Sequence, residues 1–412
     1  MSSGTCPVHG GATPSLIYHD ALYDELGAMR RSQPVFFDAE FGYWVVTRYQ
    51  DVRSILQDSR RFSAQNTTVP LKPMHPDAVK ILQEGNFTSE KTFSSIDPPR
   101  HTRLRTAANP QLNPKVSAIL EADVRRIVGE EVAKLEGQRE IDLLSAFTYE
   151  LPARVIFVLL GIPEADVPLV KRLATGRVQI DFSPSTREQQ IAAAHNLVGL
   201  WGYTSALVQD RIKNPKSDFT SGLLRFRNGD DSILTINEIT TITYGLIFAG
   251  HETTTNQLTN SIREMLHDRA AWKAICDDPG LIPNAIEEGF RLCGAVTAWR
   301  RVALEDVEIA GQVIPANANV LLSFAAANRD EEVFPNPDVY DVRRDNARRH
   351  LTLGNGIHFC LGASLTRLEM KIALEQLTAR YPGMRLREDE ECPHFHTFIF
   401  RAPERLLVDL AS

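Results

Sequence analysis

The sequence predicts a mainly α fold with a minor β part, carried in a single domain. Three observations point there. From Pro99 to about Pro283 the chain is mostly helical, with long stretches whose apolar residues recur at helical spacing. After Arg301 the signal changes to short strands. No internal repeat, low-complexity tract or linker divides the 412 residues, although about 150 residues per domain would allow two or three.

Along the chain, Met1–Ser15 is small, polar and rich in Gly, Ser and Pro, and is expected to be a loose tail before a domain over residues 16–412. A short helix is expected over Leu22–Arg31. A hairpin follows, Pro34–Phe37 and Tyr43–Arg48, the second strand marked by Tyr43, Trp44, Val45, Val46 and Thr47. Val116–Leu135 reads as one long helix through Ile119, Leu120, Val124, Ile127, Val128 and Val132. Thr186–Asn214 does the same and stops before Pro215. Thr235–His267 is apolar on nearly all sides around Tyr244–Gly250, so a helix of about 50 Å should cross the interior. Short strands (Val307–Ile309, Val320–Phe324), loops and a helix from Leu361 to about Tyr381 complete the expectation.

Composition excludes several classes. A 43% hydrophobic and 24% charged chain has the core of a soluble globular protein and is not disordered. A net charge of −7 supplies no whole-chain basic excess for nucleic acid. The five cysteines (Cys6, Cys276, Cys293, Cys360, Cys392) are odd in number, widely spaced and without a CxxC pair, which argues against a disulfide framework or a zinc knot. Runs such as Val155–Leu160 are far shorter than the about 18 residues of a membrane span, and Met1–Pro14 lacks the pattern of a signal peptide. A cytoplasmic location is the expectation.

The densest chemical signal is Leu353-Gly354-Asn355-Gly356-Ile357-His358-Phe359-Cys360-Leu361-Gly362. A cysteine at the start of a helix has its thiolate stabilised by free backbone N–H groups and the positive helix end. Gly354 and Gly356 let the backbone turn around the sulfur, Gly362 leaves room for a flat ligand, and Ile357, Phe359 and Leu361 keep water away. An anionic sulfur so placed suits a metal. Buried structural thiols are the expectation for Cys276, Cys293 and Cys392. Here the sequence resembles the cytochrome P450 family, whose signature is Phe-Gly-x-Gly-x-x-x-Cys-x-Gly; Leu353 stands where the family usually has Phe.

Further segments carry the same resemblance. Ala249-Gly250-His251-Glu252-Thr253-Thr254, in the long interior helix, is similar to the family's oxygen-activation segment. Small Ala249 and Gly250 would leave space for a ligand, and a Thr hydroxyl can bond a carbonyl one turn back. Glu288 and Arg291 lie three apart on one helical face, and the resemblance gives them a buried structural role completed by Arg344. His101 and Arg105 share a face of the helix opened by Pro98-Pro99. The family's haem propionate ligands correspond to His101, Arg105, Arg301 (with Arg300 adjacent) and His358.

The resemblance implies a P450 fold with a long central helix over haem b (iron protoporphyrin IX), Cys360 as axial thiolate and Gly362 beside the porphyrin. It implies Thr253 as the hydrogen-bonding partner of the oxygen species, Glu252 as the source of its protons, and Ala249 and Gly250 as the space around it. Pocket candidates from the family layout are Thr92, Phe93, Phe182, Leu246, Phe248, Val296, Thr297, Ala298, Trp299, Phe398 and Ile399. They suggest a small apolar or aromatic substrate, oxidised by hydroxylation or oxidative O-demethylation. Electrons would come from a separate ferredoxin or flavoprotein, with Arg343, Arg348, Arg349, His350, Arg100 and Arg103 as a basic docking face. The alternatives are a peroxide-driven haem-thiolate peroxygenase, a non-enzymatic haem protein and a haem-free helical binding protein.

Overall fold

The computed structural model describes residues 16–19, 21–174, 177–183, 185–387, 392–395 and 397–410. The expected tail, with Cys6, lies outside them. The helices include α1 (Leu22–Ser32), α2 (Arg100–Ala108), α3 (Pro114–Ile119), α4 (Glu121–Ala133), α5 (Glu150–Leu160), α6 (Arg187–Lys213), α7 (Ile236–His267), α8 (Ile282–Leu292) and α9 (Ala363–Arg380). Strands are short: β1 (Val35–Asp38), β2 (Tyr43–Val46), β3 (Phe62–Ser63), β4 (Glu140–Asp142), β5 (Ala298–Ala303), β6 (Val307–Ile309), β7 (Gln312–Ile314), β8 (Asn319–Ser323), β9 (Arg385–Leu386) and β10 (Leu407–Asp409).

The interior helix forms as its sequence dictates. Thr235 caps α7 by accepting the Glu238 N–H at 3.0 Å, while the Glu238 carboxylate reaches back to the Thr235 N–H at 3.1 Å. Thr186 and Gln189 repeat that arrangement at the start of α6. Ile239, Ile242, Ile247, Leu258 and Ile262 of α7 are buried in the main core, against α5, α6 and α8. A five-stranded sheet has the order β1-β2-β8-β5-β3, in which β2 and β8 are parallel and the other pairs antiparallel.

Three expectations need correction. Val116–Leu135 is two helices, because Leu120, with ψ of −7°, ends α3 and begins α4. Ile119, counted on the apolar face, is 78% exposed. The break lets Ser117 meet Ser364 at 2.8 Å at the start of α9, a long-range contact that periodicity does not reveal. The strand before Val302 begins at Ala298, so Ala298–Arg301 alternates between two faces. Finally, β4 interrupts the helical region because it pairs with β10, more than 260 residues away.

Candidate functional site

Cys360 sits in a loop whose shape needs its glycines. Gly354 and Gly356 have φ of +74° and +70°, and a Cβ at Gly356 would lie 2.6 Å from the Leu56 carbonyl oxygen. The Cys360 N–H donates to the Leu353 carbonyl at 2.9 Å, closing the loop just before Gly362 caps α9. Burial pushes the thiol's pKa up; the N–H groups of Gly362 and Ala363 and the charges of Arg105 and Arg367 pull it down. The sulfur side of this loop borders two hollows. One is a cavity of ≈ 260 Å³ under α7, the other a more open hollow of ≈ 460 Å³ toward the surface.

An anion cradle lines the first cavity. Strand alternation decides between the two adjacent arginines. Trp299 and Arg301 face the cavity, whereas Arg300 turns away to the carbonyls of Thr67 and Val69, both at 2.6 Å, with Phe182 beneath it. One Arg301 nitrogen donates to the Arg300 carbonyl at 2.8 Å, but its Nη2 is buried without a partner. Burial lowers the Arg301 guanidinium to about 10, the mark of a cation lacking its anion. His101 Nε2 is likewise buried and unpartnered, and the ring stands edge-on to His358 at 4.5 Å. Arg105 anchors on the Asn109 side chain and the Phe359 carbonyl. His358 uses Nδ1–H on the Phe93 carbonyl at 2.9 Å, and burial beside Arg301 and His101 pulls its pKa down to about 3. A carboxylate arriving here would satisfy these donors.

Above the cavity, the Thr253 hydroxyl donates to the Ala249 carbonyl at 2.6 Å, one turn back. Gly250 lines the cavity and has a second task. A Cβ there would lie 2.5 Å from Ile156, so the missing side chain lets α5 pack against α7. Burial alone pushes the Glu252 carboxyl up to about 7; burial, and after it the charges of Glu252 and Glu150, raise the Tyr149 phenol.

The cavity wall includes Phe93, Leu246, Val296 and Trp299 of the expected pocket residues. The others are elsewhere. Phe182 and Phe398 pack with Phe400 and Tyr43 in a separate cluster, where Ile399 is also buried. Ala298 and Thr297 border a small gap beside Leu16 and Phe398. Phe248 sets its ring edge-on to Tyr244 at 5.1 Å, and Thr92 touches the Gly245 position, both outside the wall. Residues the sequence did not single out take these places: Ile156, Gln257, Phe290, Ala295, Thr366 and Glu369. Gln257 had a signal, one helical turn beyond Thr253; the rest had none.

Glu288, Arg291 and Arg344 come together in the core. The carboxylate takes two N–H bonds from Arg291, both at 2.7 Å, and one from Arg344 at 2.9 Å. Their remaining donors reach the carbonyls of Asn328, Pro337 and Val339 and of Pro335 and Asn336. The expected basic face is smaller than its sequence. Arg103 holds Glu238 at 2.6 Å, and Arg100 is shared between Glu238 and Glu90, so both serve the start of α7. His350 is buried on Glu287 at 3.1 Å. Arg343, Arg348 and Arg349 remain exposed.

Residues 280–408 match the family model for cytochrome P450. The solved structure of cytochrome P450 CREJ in complex with (4-ethylphenyl) dihydrogen phosphate superposes with a TM-score of 0.90, at 36% identity over 94% of this chain and 96% of that one. The chain belongs to the cytochrome P450 family. Similar proteins also include a mycinamicin IV hydroxylase/epoxidase of Micromonospora griseorubida, 36% identical over 83% of each sequence. The fold further matches an intact type IV self-sufficient P450 monooxygenase, with a TM-score of 0.95 and 33% identity, covering 98% of this chain and 54% of that one. This P450 is therefore an oxidoreductase of the monooxygenase class with haem b as its cofactor. The residues present fit that group. A buried Arg301 N–H group and a buried His101 ring nitrogen lack partners, nothing lies within 4 Å of the Cβ position at Gly362, and a cysteine opens on the same cavity. No helix among the described residues is long and apolar enough to cross a membrane.

Proposed function

We propose that this P450 inserts one oxygen atom from O2 into a small, neutral, apolar substrate with an aromatic ring, by hydroxylation or oxidative O-demethylation. The observation that carries it is the cavity wall. Away from the cysteine loop, Phe93, Leu246, Ile156, Val296 and Trp299 surround the space, and the arginines on it are Arg105 and Arg301 of the anion cradle. An anionic ester such as the one bound to CREJ would find no further cation among the described wall residues. A screen of aromatic and terpenoid compounds for ligand-induced shifts of the Soret band tests the reading. Neutral aromatics should shift it at lower concentrations than their phosphate esters; the reverse order would overturn it.

Cys360 would hold the iron, and His101, Arg105, Arg301 and His358 would hold the propionates. Bound haem supplies the activation of O2, which thiolate donation favours. The chain's own residues order the protons. Thr253, its hydrogen engaged by Ala249, offers hydroxyl lone pairs to the cavity, and Glu252 holds a proton near neutral pH. Thr253→Ala should raise the fraction of reducing equivalents lost as hydrogen peroxide by at least about threefold, read from peroxide per NAD(P)H. Unchanged coupling would remove Thr253 from this role.

The acid also sets a pH dependence. With its pKa raised to about 7, Glu252 is protonated below that pH and ionised above it. Donor-driven turnover should fall as pH rises through about 7, and Glu252→Gln should lower the plateau by about tenfold and erase the inflection. A wild-type profile flat from pH about 6 to about 8.5 would oppose the assignment.

Electrons are proposed to arrive from an acidic ferredoxin or flavoprotein at the outer hollow. Arg105, Arg348 and Arg367 border it, Arg343 and Arg349 are exposed on the same segment as Arg348, and Ile357 and Phe359 give an exposed apolar centre. Reduction by a plant-type ferredoxin should slow by about tenfold between low and about 0.5 M salt. Salt-independent rates would exclude electrostatic docking. The Glu252–Thr253 pair favours this oxygen route over a peroxide-driven one, and comparing turnover with peroxide against turnover with donor and NAD(P)H separates them.

A further inference from the structure

Two buried amide side chains of α7, Gln257 and Asn260, are bonded to backbone where one wall of the cavity begins. Beyond α8 the chain passes Ala295, Val296 and Thr297 into β5, and Val296 lines the cavity. These residues run antiparallel to Ile399–Arg401, with Val296 opposite Phe400. The Thr297 N–H donates to the Ile399 carbonyl at 2.9 Å, and the Arg401 N–H to the Ala295 carbonyl at 2.8 Å. Opposed residues at such a position ordinarily exchange both bonds. Here the Ala295 N–H donates to Gln257 Oε1 at 2.9 Å instead, and the Arg401 carbonyl accepts from Asn260 Nδ2 at 2.9 Å.

This arrangement is more costly than the bond it replaces. One backbone bond between Ala295 and Arg401 would satisfy both groups and leave α7 free to carry two leucines. Two buried amides are present, and Asn260 Oδ1 is left without a partner. What the amides add is a fixed tie between α7 and the wall. Gln257 Nε2 donates to the Ser261 hydroxyl at 3.1 Å, which holds the side chain in one direction. Gly294, just before the segment, has no slack either, since a Cβ there would lie 2.7 Å from the Thr352 hydroxyl oxygen and 2.8 Å from the Phe290 carbonyl oxygen. At the far end the Ala325 N–H holds the Thr297 carbonyl at 2.8 Å. Val296 sits between these anchors. Thr253 is one turn before Gln257 on the same face of α7, about 6 Å along the axis.

We infer that Gln257 and Asn260 are positioning residues that fix the Val296 wall relative to Thr253, and so decide which substrates fit the cavity. The inference rests on the proposed reading of that cavity as the site of a small, neutral aromatic substrate. Because the clamp and Thr253 share one helix, the gap between the wall and the Thr253 hydroxyl is set by helix geometry. Neither amide takes part in the chemistry. Asn260 lies outside the cavity wall and acts only through Arg401 and the pairing of Arg401 with Ala295. A wall held in this way is complementary to one size of ring, and a loosened wall accepts larger ones.

The test compares the haem-loaded full chain with its Gln257→Met and Asn260→Ala variants, each of which removes one clamp bond. Dissociation constants come from the Soret shifts produced by 4-ethylphenol and the bulkier 4-phenylphenol. Both variants should move the ratio of the two constants toward the larger phenol by about tenfold. Amide hydrogen exchange, read by mass spectrometry, should speed up by at least about tenfold over residues 295–297 in both, with α9 unchanged. Gln257→Glu, whose side-chain oxygen still accepts from Ala295, should bring the ratio back to within about twofold of the wild type. Ser261→Ala is the milder variant; it frees only Gln257 Nε2 and should move the ratio the same way by about threefold. An unmoved ratio in Asn260→Ala, or in Ser261→Ala should Asn260→Ala load no haem, overturns the inference, because the amides then only satisfy backbone. A shift confined to Gln257→Met also overturns it, since that marks direct contact with the ligand. A wild type whose Soret band answers to neither phenol overturns the substrate reading and the inference together.

Discussion

Cys360→Ser is expected to leave a folded protein whose reduced, carbon-monoxide-treated pigment lacks red-shifted absorption and whose oxygenation falls by at least about 100-fold. The fold should survive because the loop is held by backbone. The Cys360 N–H on Leu353 and the positive φ at Gly354 and Gly356 do not depend on sulfur. The chemistry should not survive. The site is built to stabilise a thiolate, through the N–H groups of Gly362 and Ala363 and the charges of Arg105 and Arg367, against the burial that favours a neutral thiol. A serine hydroxyl keeps its proton at any working pH and is a hard, weak donor to iron. The carbon-monoxide difference spectrum decides the matter, since retention of the red-shifted band in the serine variant would mean that another group holds the iron.

Glu288→Gln should be the most damaging single change for stability, costing about 3–5 kcal/mol, because it leaves two guanidinium groups without their anion in the core. The Glu288 and Arg291 side chains have 0% exposure and that of Arg344 has 7%, so water cannot compensate. Against a total stability of about 5–15 kcal/mol, that loss should leave little soluble, haem-loaded protein at growth temperature. Arg291→Lys should be nearly as harmful, since a lysine cannot supply the planar fork that binds Glu288 while also reaching Asn328, Pro337 and Val339. Breaking the exposed Lys273–Asp277 pair is the control, expected to cost no more than about 0.5 kcal/mol. Thermal unfolding of the three variants gives the comparison. Equal midpoints would remove the buried cluster as a determinant of the fold.

Features written within one short stretch of chain were legible. The caps at Thr186 and Thr235 need only residues three apart, and the loop around Cys360 needs only its own glycines. The Thr253–Ala249 bond follows from helical spacing alone. Legibility failed where a distant element chose the outcome. Arg100 and Arg103 read as surface charge because their partner, Glu238, comes from the start of a helix 135 or more residues on. Phe182 and Phe398 read as pocket residues, but their rings close on Phe400 and Tyr43. Gly250 read only as room for a ligand; it lines the cavity, but its close packing against Ile156 of α5 could not be read from the sequence.

By itself, then, the sequence determined the local chemistry: a cysteine poised at a helix start, a threonine bonded one turn back, and an acid beside it. These rest on contiguous geometry, which backbone stereochemistry imposes without help. Only the tertiary structure decided which of two adjacent arginines points inward, which aromatics line the cavity and which acids are paired. Side-chain direction, burial and charge neutralisation are set by the elements that pack opposite. That is why Arg301 faces the cavity while Arg300 does not, and why Glu288 is saturated while Glu369 is alone.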